Sequence, residues 1–504
     1  NSKGLLEVKG QQGTKHSNKA EEYEIIETLP DTYVLVHFRT KKDWKGEFGF
    51  DCYKENSNVK GINDTEKYID LIGKYYSKTD AEMQIEKQNN PSNTYSLFFI
   101  TNPNSWYIKT DSSIIENFKL DGTQYGHSDE SQNKMREDFF LFNFKIKNKN
   151  DIEQNFTHYK SFIALFPKTE NYGVSEAEID LHIKFLGKES PDYLVFKLNN
   201  ETKELTANHH FIGIDRLKIE HPKSGKKETI KITCKAFQVI DKNGQGIKFD
   251  KDIDIKIYAI KVDEKGNKTE NLAGCITMIA PIVKTINILP VYVKTITSKY
   301  GNNKDNTFTL LKKALGQALI KVNLLEKDPN SIKGESFYLD LPAPYPFTIL
   351  SKTITDNNGL DDFIKNEFER KYSTIYANYF KLYFLDLEYK EPNTEGAGGY
   401  FDSVSKCVML FKGHQKETIA HECLHALGLP HSFYYPSEIY KSRMEEKIRD
   451  KNFFVFKAME TNNIMDYSHL GVNPVTKNRI DSPKERYLTW HWQWLIVRES
   501  TLLE

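Results

Sequence analysis

Apolar and polar residues alternate along much of the first half of the chain, as they do in β-strands with one buried face. The alternation is clearest at residues 140–146, 178–185 and 252–262, and polar turn segments separate these stretches. Short strands at such regular spacing are typical of an antiparallel sandwich. We therefore predict a β-sandwich module at residues 138–282.

The residues before this module have a different pattern. Residues 1–22 are polar and rich in Gly, Lys and Gln, which predicts a flexible leader. Strand-like stretches at 33–39 and 48–53 follow in a segment of mixed pattern. We predict a mixed, strand-rich N-terminal module at residues 23–130.

Beyond residue 282, apolar positions alternate between strand spacing and helical spacing. Strands are predicted at 286–296, 337–341, 381–389 and 407–411, and helices at 306–325 and 360–379. Strands that alternate with helices indicate a layered α/β domain, here at residues 283–504. The predicted fold class is thus multidomain, with β-rich N-terminal modules followed by an α/β domain.

Composition narrows the range of partners. The 70 basic and 70 acidic residues balance, so charge gives no reason to expect nucleic acid. The longest apolar stretch, around residues 275–283, is too short for a membrane span. The five cysteines form no CxxC pair, which indicates neither a disulfide framework nor a cysteine zinc site.

The candidate chemistry lies in one segment, which reads HECLHALGLPH from residue 421 to residue 431. On a helix, His421 and His425 are one turn apart and share a face, so both can bind one metal ion. Gly428 stands where the helix must end, because glycine tolerates the left-handed backbone of a reversing chain. His431 can then return as the third ligand. The spacing predicts a Zn²⁺ site at His421, His425 and His431.

Glu422 is adjacent to the first of these ligands. Three neutral nitrogen ligands leave the fourth zinc position open for water. Glu422 can take a proton from that water, so that it attacks a peptide carbonyl, and can pass the proton to the leaving amine. We therefore predict a zinc-dependent endopeptidase that hydrolyses protein or peptide substrates, with Glu422 as the catalytic base.

The full HExxHxxGxxH pattern, followed by Asn463-Ile-Met-Asp-Tyr, resembles the metzincin superfamily of zinc metallopeptidases. The resemblance implies a Met-turn in which Met465 lies beneath the metal. It also implies that Tyr467 approaches the zinc or the reacting carbonyl, and that the strand at 406–411 is the edge strand of the active-site cleft, with the segment 396–399 at its rim.

Within that superfamily, His431-Ser-Phe and the Met-turn segment are most similar to the pappalysin or cytophagalysin-like group. The segment 33–51, with Trp44-Lys-Gly-Glu-Phe-Gly-Phe-Asp, resembles accessory proteins of bacterial contractile secretion systems. This second resemblance implies a secreted or exported bacterial toxin or effector. Its N-terminal modules would contact a secretion apparatus, and the export route stays open.

Two alternative functions stay open as well. The chain could be a binding or delivery protein whose β-rich half docks to a partner, with the zinc domain auxiliary. It could also be a zinc hydrolase that acts on cell-wall peptides. The presence of Glu422 favours an active hydrolase, because a purely structural zinc site needs no general base.

Overall fold

The computed structural model describes most of the predicted sandwich and of the C-terminal region. The predicted leader at 1–22 lies outside the described residues. These are 23–25, 32–52, 75–76, 101–102, 137–148, 153–187, 189–199, 201–240, 243–295, 299–303, 306–356, 359–372, 374–390, 398–402, 407–429, 462–466, 469–472, 479–481 and 485–504.

Strands dominate the first half of the described chain. They are β1 (Tyr23–Ile25), β2 (Val34–Thr40), β3 (Gly49–Cys52), β4 (Tyr75–Tyr76), β5 (Thr101–Asn102), β6 (Phe140–Asn148), β7 (Glu153–Tyr159), β8 (Ser161–Ala164), β9 (Glu176–Phe185), β10 (Tyr193–Leu198), β11 (Ile212–Ile214), β12 (Lys218–Glu220), β13 (Lys227–Cys234), β14 (Gln238–Ile240), β15 (Gly246–Lys248), β16 (Ile253–Val262) and β17 (Lys268–Met278). A short 3₁₀ turn, Lys168–Glu170, interrupts them.

Two of the sheets lie face to face. One has the strand order β12-β10-β16-β17-β8-β3 and the other β11-β13-β9-β2. Their close approach is clearest at Gly274 of β17, where a Cβ atom would lie 3.1 Å from the Cβ of Val36 on β2. Strand β9 buries Ala177, Ile179 and Leu181 on the inner face, while the residues between them are more exposed. This period of two is the pattern expected of a half-buried strand.

Strand pairing crosses the predicted boundary between the modules at 23–130 and 138–282. Strand β2 pairs antiparallel with β9, and β3 pairs antiparallel with β8. Strands β2 and β3 therefore belong to the same two sheets as β8–β13, β16 and β17. The sequence pattern reveals the period of a strand but not its partner, so a distant N-terminal pairing is invisible in it.

The C-terminal half mixes both types of element. Its strands are β18 (Lys284–Lys294), β19 (Ile320–Leu324), β20 (Phe337–Asp340), β21 (Thr348–Leu350), β22 (Thr353–Asp356), β23 (Phe380–Leu385), β24 (Glu388–Tyr389), β25 (Gly399–Asp402), β26 (Cys407–Leu410), β27 (His469–Val472) and β28 (Arg479–Asp481). Its described helices are α1 (Thr307–Gly316), α2 (Leu360–Tyr372), α3 (Thr418–Ala426) and α4 (His491–Arg498), with a 3₁₀ turn at Thr374–Tyr376.

The main C-terminal sheet has the order β19-β18-β23-β26-β25, and β20 also pairs with β18. All of these pairs are parallel except β25 with β26, which is antiparallel. Strand β23 sends Leu382 and Phe384 into the core shared with α1 and α3, and Tyr383 and Leu385 into the core beneath α2. Helices therefore cover both faces, as is usual for a parallel sheet.

The predicted helix at 306–325 is wrong in its second half. Helix α1 ends at Gly316, Leu319 has a positive φ of 58°, and Ile320–Leu324 is strand β19. The alternating, β-branched residues of this segment pair with β18, and that tertiary contact overrides helical propensity. Helix α2 likewise ends at Tyr372, earlier than predicted.

The apolar core runs without interruption from the sandwich into the C-terminal region. Trp44 and Phe50 belong to the same buried cluster as Leu488 and Trp494. The change in sequence pattern near residue 282 is therefore not a break in packing. Among the described helices, none is both long and apolar enough to cross a membrane.

Candidate metal centre

Helix α3 carries the predicted motif. Its inner face buries Ile419, Cys423 and Leu424 in the core, as expected for an amphipathic helix. The helix ends as predicted at Gly428, whose φ is +96°. The N–H of Leu429 donates to the carbonyl of Leu424, and that of Gly428 to the carbonyl of His425. This is the Schellman arrangement for which a left-handed glycine is preferred.

The structure brings His421 and His425 together. Their Nε2 atoms are 3.1 Å apart, and the two ring planes are nearly perpendicular, at 85°. His421 is buried and His425 is half-buried. The spacing of four residues thus places both rings at one point on the helix surface, as the sequence predicted.

Each histidine is anchored through its other ring nitrogen. The Nδ1 atom of His421 lies 2.8 Å from the carbonyl oxygen of Ile464, and that of His425 lies 2.7 Å from the carbonyl oxygen of Leu429. A carbonyl oxygen only accepts hydrogen bonds, so both Nδ1 atoms carry the proton. In the neutral rings, each Nε2 atom then presents a lone pair.

Burial keeps the His421 ring neutral. It holds the pKa of His421 well below its ordinary value of 6.5, and the neighbouring His425 and Arg486 act in the same direction. A histidine must be neutral to bind a metal ion. Because a buried charged imidazole without a counter-ion is unfavourable, the site favours the ligand form.

Glu422 points away from the core side of α3, towards strand β25. Burial raises the pKa of its carboxyl group to about 8, although the backbone N–H of Phe401, on β25, opposes that shift through a hydrogen bond. The side chain is half-buried. Glu422 is thus the chain neighbour of His421 on α3, and its carboxyl group bonds to the neighbouring strand β25.

The predicted edge strand at 406–411 is not at the edge. Strand β26 lies between β23 and β25, and β25 (Gly399–Asp402) ends the sheet among the described strands. Four residues of β25 pair antiparallel with β26. The predicted rim segment at 396–399 leads directly into β25, but its first two residues lie outside the described residues.

Met465 is fully buried in the segment that the sequence predicts to form the Met-turn. The residue before it, Ile464, contacts His421. The side-chain oxygen of Asn463 accepts a hydrogen bond from the N–H of Met465 at 2.9 Å. This local turn is of the kind that Asn favours. It leaves the carbonyl of Ile464 directed at His421, so the turn supplies the anchor for the first histidine.

Two predicted site residues, His431 and Tyr467, lie outside the described residues. Within the part of the chain that the structure describes, no three His, Cys, Asp or Glu side chains converge as a metal site. Two of the three predicted ligands can thus be placed, and they face each other. All five cysteines are described and buried, and none forms a disulfide; burial raises the pKa of the Cys423 thiol above its usual range.

Sequence reasoning missed Arg486, which is buried behind the site. Its guanidinium donates to the carbonyl of Asp466 at 3.1 Å and lies 3.4 Å from the carboxylate of Glu417. Arg486 therefore links the Met-turn to the start of α3. No spacing rule connects positions so far apart, and the one available signal was the scarcity of arginine in this lysine-rich chain.

No protein-family model matches the chain, and no significant match was found among curated proteins or among solved structures.

Proposed function

We propose that this chain is a zinc-dependent endopeptidase with His421 and His425 as two zinc ligands, Glu422 as the general base, and His431 as the third ligand. The observation that carries the proposal is the distance of 3.1 Å between the Nε2 atoms of His421 and His425. The Nδ1 atom of each ring donates a hydrogen bond to a backbone carbonyl oxygen. Two lone pairs at this distance repel each other, and a shared cation relieves that repulsion.

The donor set fits zinc. Imidazole nitrogen is a preferred zinc ligand, and ligating histidines almost always donate their second ring N–H to an oxygen acceptor. His421 and His425 both meet this condition through backbone carbonyls. When bound, zinc supplies a Lewis acid that polarises a carbonyl and lowers the pKa of water from 15.7 to about 7.

Glu422 moves the protons in this proposal. Its carboxylate takes a proton from the attacking water and later donates it to the leaving amine. Burial raises the pKa of this carboxyl group, which makes Glu422 a stronger base than an exposed glutamate. The hydrogen bond from Phe401 holds the carboxylate beside α3 while this happens.

The position of strand β25 favours a peptide as the substrate. It is the terminal strand of its sheet and packs against α3, with Phe401 in contact with Glu422. An extended peptide that aligned along this strand would pass the histidine pair. We therefore propose protein or peptide substrates rather than small esters or amides.

The metzincin assignment is part of the proposal. It is supported by the motif helix, by the glycine that ends it and by a buried Met465 whose turn anchors His421. Under that assignment Tyr467 would steady the reacting carbonyl. The role of a secreted bacterial effector, with N-terminal modules that contact a secretion apparatus, is likewise a proposal that rests on sequence resemblance.

Cleavage of casein by zinc-loaded protein tests the proposal directly. We expect Glu422→Gln to lower kcat by roughly 10²–10⁴-fold and to keep the metal, because glutamine has the same shape but cannot accept a proton. His425→Ala should lose metal and activity together. Glu369→Gln, an exposed carboxylate change on α2, serves as the control and should match wild type.

Near wild-type cleavage by zinc-loaded Glu422→Gln would exclude the proposed role of Glu422. Hydrolysis of purified peptidoglycan without hydrolysis of casein would redirect the substrate to cell-wall peptides. Absence of both activities in a zinc-loaded protein would favour the alternative of a binding or delivery protein.

A further inference from the structure

A buried carboxylate of the sandwich touches the C-terminal helix. Asp51 on β3 is 3% exposed, and its Oδ2 atom accepts a hydrogen bond from the backbone N–H of His491 at 2.8 Å. His491 is the first residue of α4. The two residues are 440 positions apart in the chain, so this contact exists only because the sandwich packs against the C-terminal region.

The contact is of a kind that fixes a helix end. The first N–H groups of a helix have no acceptor inside the helix, and a negative charge near them is favourable. The His491 ring also stacks on Phe162 of β8, with centroids 3.7 Å apart and planes 6° from parallel. Two adjacent strands of the sandwich therefore hold the start of α4.

Helix α4 in turn holds the Met-turn. Gln493, in the first turn of α4, is fully buried, and its Oε1 atom accepts hydrogen bonds from the N–H of Trp490 and from Nδ2 of Asn463 at 2.7 Å. Its Nε2 atom donates to Oδ1 of Asn463 at 3.3 Å. A reciprocal amide pair in the core is strongly directional, since an unsatisfied member would be costly.

Asn463 passes this constraint to the metal centre. The same Oδ1 atom that accepts from Gln493 also accepts from the N–H of Met465, which closes the turn. The closed turn directs the Ile464 carbonyl at Nδ1 of His421. Every step from Asp51 to His421 is thus a hydrogen bond or a helix turn between buried groups.

We propose that Asp51 is a positioning residue for the metal centre, acting through α4 and the Met-turn on the orientation of His421. This inference rests on the proposed function, because it assumes that His421 binds zinc. Under this proposal the sandwich helps to orient a zinc ligand in the C-terminal region, in addition to any role in docking or delivery. A carboxylate that only stabilised the fold would lower the unfolding temperature without changing the affinity for metal.

The affinity for metal separates these two roles. Zinc dissociation constants, measured on the full chain by competition with a chelator, are compared at a temperature where circular dichroism shows each variant folded. We expect Asp51→Ala to weaken zinc binding about tenfold, the lower end of the range for residues that orient a ligating histidine. The visible absorption of the Co²⁺-substituted protein should also shift.

Asp51→Asn keeps an oxygen acceptor for the His491 N–H and loses only the charge. We expect it to recover most of the affinity and to bind zinc about threefold more weakly than wild type, as for a lost charge at a helix N-terminus. Asp180→Ala is the matched control. That carboxylate lies on β9 of the same sandwich and binds Lys41 and Thr229, away from α4.

Equal zinc affinity in Asp51→Ala and wild type would overturn the proposal, as would an equal loss in Asp180→Ala. If Asp51→Ala does not fold, the comparison rests on Asp51→Asn, and wild-type affinity and cobalt spectrum in that variant would overturn it. Failure of the wild type itself to bind zinc would instead refute the proposed function.

Discussion

Strand β9 of the sandwich and strand β26 of the C-terminal sheet bury their residues differently. In the sandwich strand β9, buried and more exposed residues alternate, whereas all four residues of the C-terminal strand β26 are buried. Strand β9 therefore has one covered face, whereas helices cover both faces of the C-terminal sheet. Helix α3, which carries the histidine pair, packs against β25, the terminal described strand of that sheet.

The two regions nevertheless form one packed unit. Trp44 of the sandwich lies edge-on to Tyr487, at 5.8 Å between centroids, in the segment that precedes α4. Gln317 at the end of α1 also binds the backbone of Tyr487 and Thr489. The sandwich, which supports the site, and the C-terminal sheet, which carries it, thus differ in sequence pattern and still share one apolar core.

The largest expected effect concerns acid sensitivity of the strand-rich half, at strand β7 of the three-stranded sheet β1-β6-β7. Burial lowers the pKa of His158, on β7, from 6.5 to about 4. The unfolded chain therefore binds more protons than the folded one below pH 6.5, and stability is lost as the pH falls from 6.5 to 4. We expect a loss of about 3 kcal/mol from this one group, since each pKa unit corresponds to about 1.4 kcal/mol.

His158→Phe should reduce this dependence, and the part due to the buried His491, whose pKa burial lowers to about 3, should remain. The measurement is the free energy of urea unfolding of metal-free protein at several pH values, so that release of metal does not contribute. An unchanged slope in His158→Phe between pH 6.5 and 4 would show that His158 does not contribute to acid unfolding.

An intermediate effect is expected where the two regions meet. A Cβ atom at Gly49 of β3 would collide with the backbone oxygen of Gln317 and lie 2.8 Å from the Cβ of Ala164. We expect Gly49→Ala to lower the free energy of unfolding by about 2 kcal/mol, as overpacking does. Both regions should unfold together in one thermal transition at a lower temperature than in the wild type.

Gly316→Ala is the matched control at the same junction. Among the described residues outside its own helix, a Cβ atom there would meet Phe166 alone, at an ordinary 3.5 Å, and alanine suits the end of a helix better than glycine. We expect no loss of stability and a gain of up to about 1 kcal/mol. Two separate transitions in Gly49→Ala would contradict the view that the regions share one core.

The smallest effect is expected from charge at this junction. Lys45 and Glu485 form an ion pair between the regions, but both side chains are about half exposed. Exposed pairs contribute little because water screens them and ordering two long side chains opposes the attraction. Lys45→Ala should change the free energy of unfolding by less than about 0.5 kcal/mol in urea titrations. A loss comparable to that of Gly49→Ala would mean that the ion pair stabilises the junction as much as packing does.

The sequence predicted features that depend on near neighbours. The four-residue spacing of His421 and His425 and the left-handed Gly428 were read correctly, because helix geometry alone fixes both. Several strands of the sandwich were likewise visible from their period of two. Helix α1 was predicted too long because the pairing that turns Ile320–Leu324 into a strand lies outside that segment.

Features that depend on distant contacts could not be predicted. Which strand ends the sheet follows from the pairing of β25 with β26, and a strand pattern does not reveal it. The carbonyl of Ile464 that anchors His421 is 43 residues away. Asn, Gln and Asp are common in any chain. Their residue types therefore did not reveal the Asn463–Gln493 pair or the contact of Asp51 with α4.

Metal stoichiometry tests the central claim most directly. Wild-type protein and His425→Ala are incubated with zinc, dialysed against metal-free buffer, and measured by plasma mass spectrometry. We expect close to one zinc per wild-type chain and close to none in His425→Ala, because that variant lacks one of the two facing Nε2 atoms. Equal zinc content in the two proteins, or none in the wild type, would contradict the assignment of a zinc centre at His421 and His425.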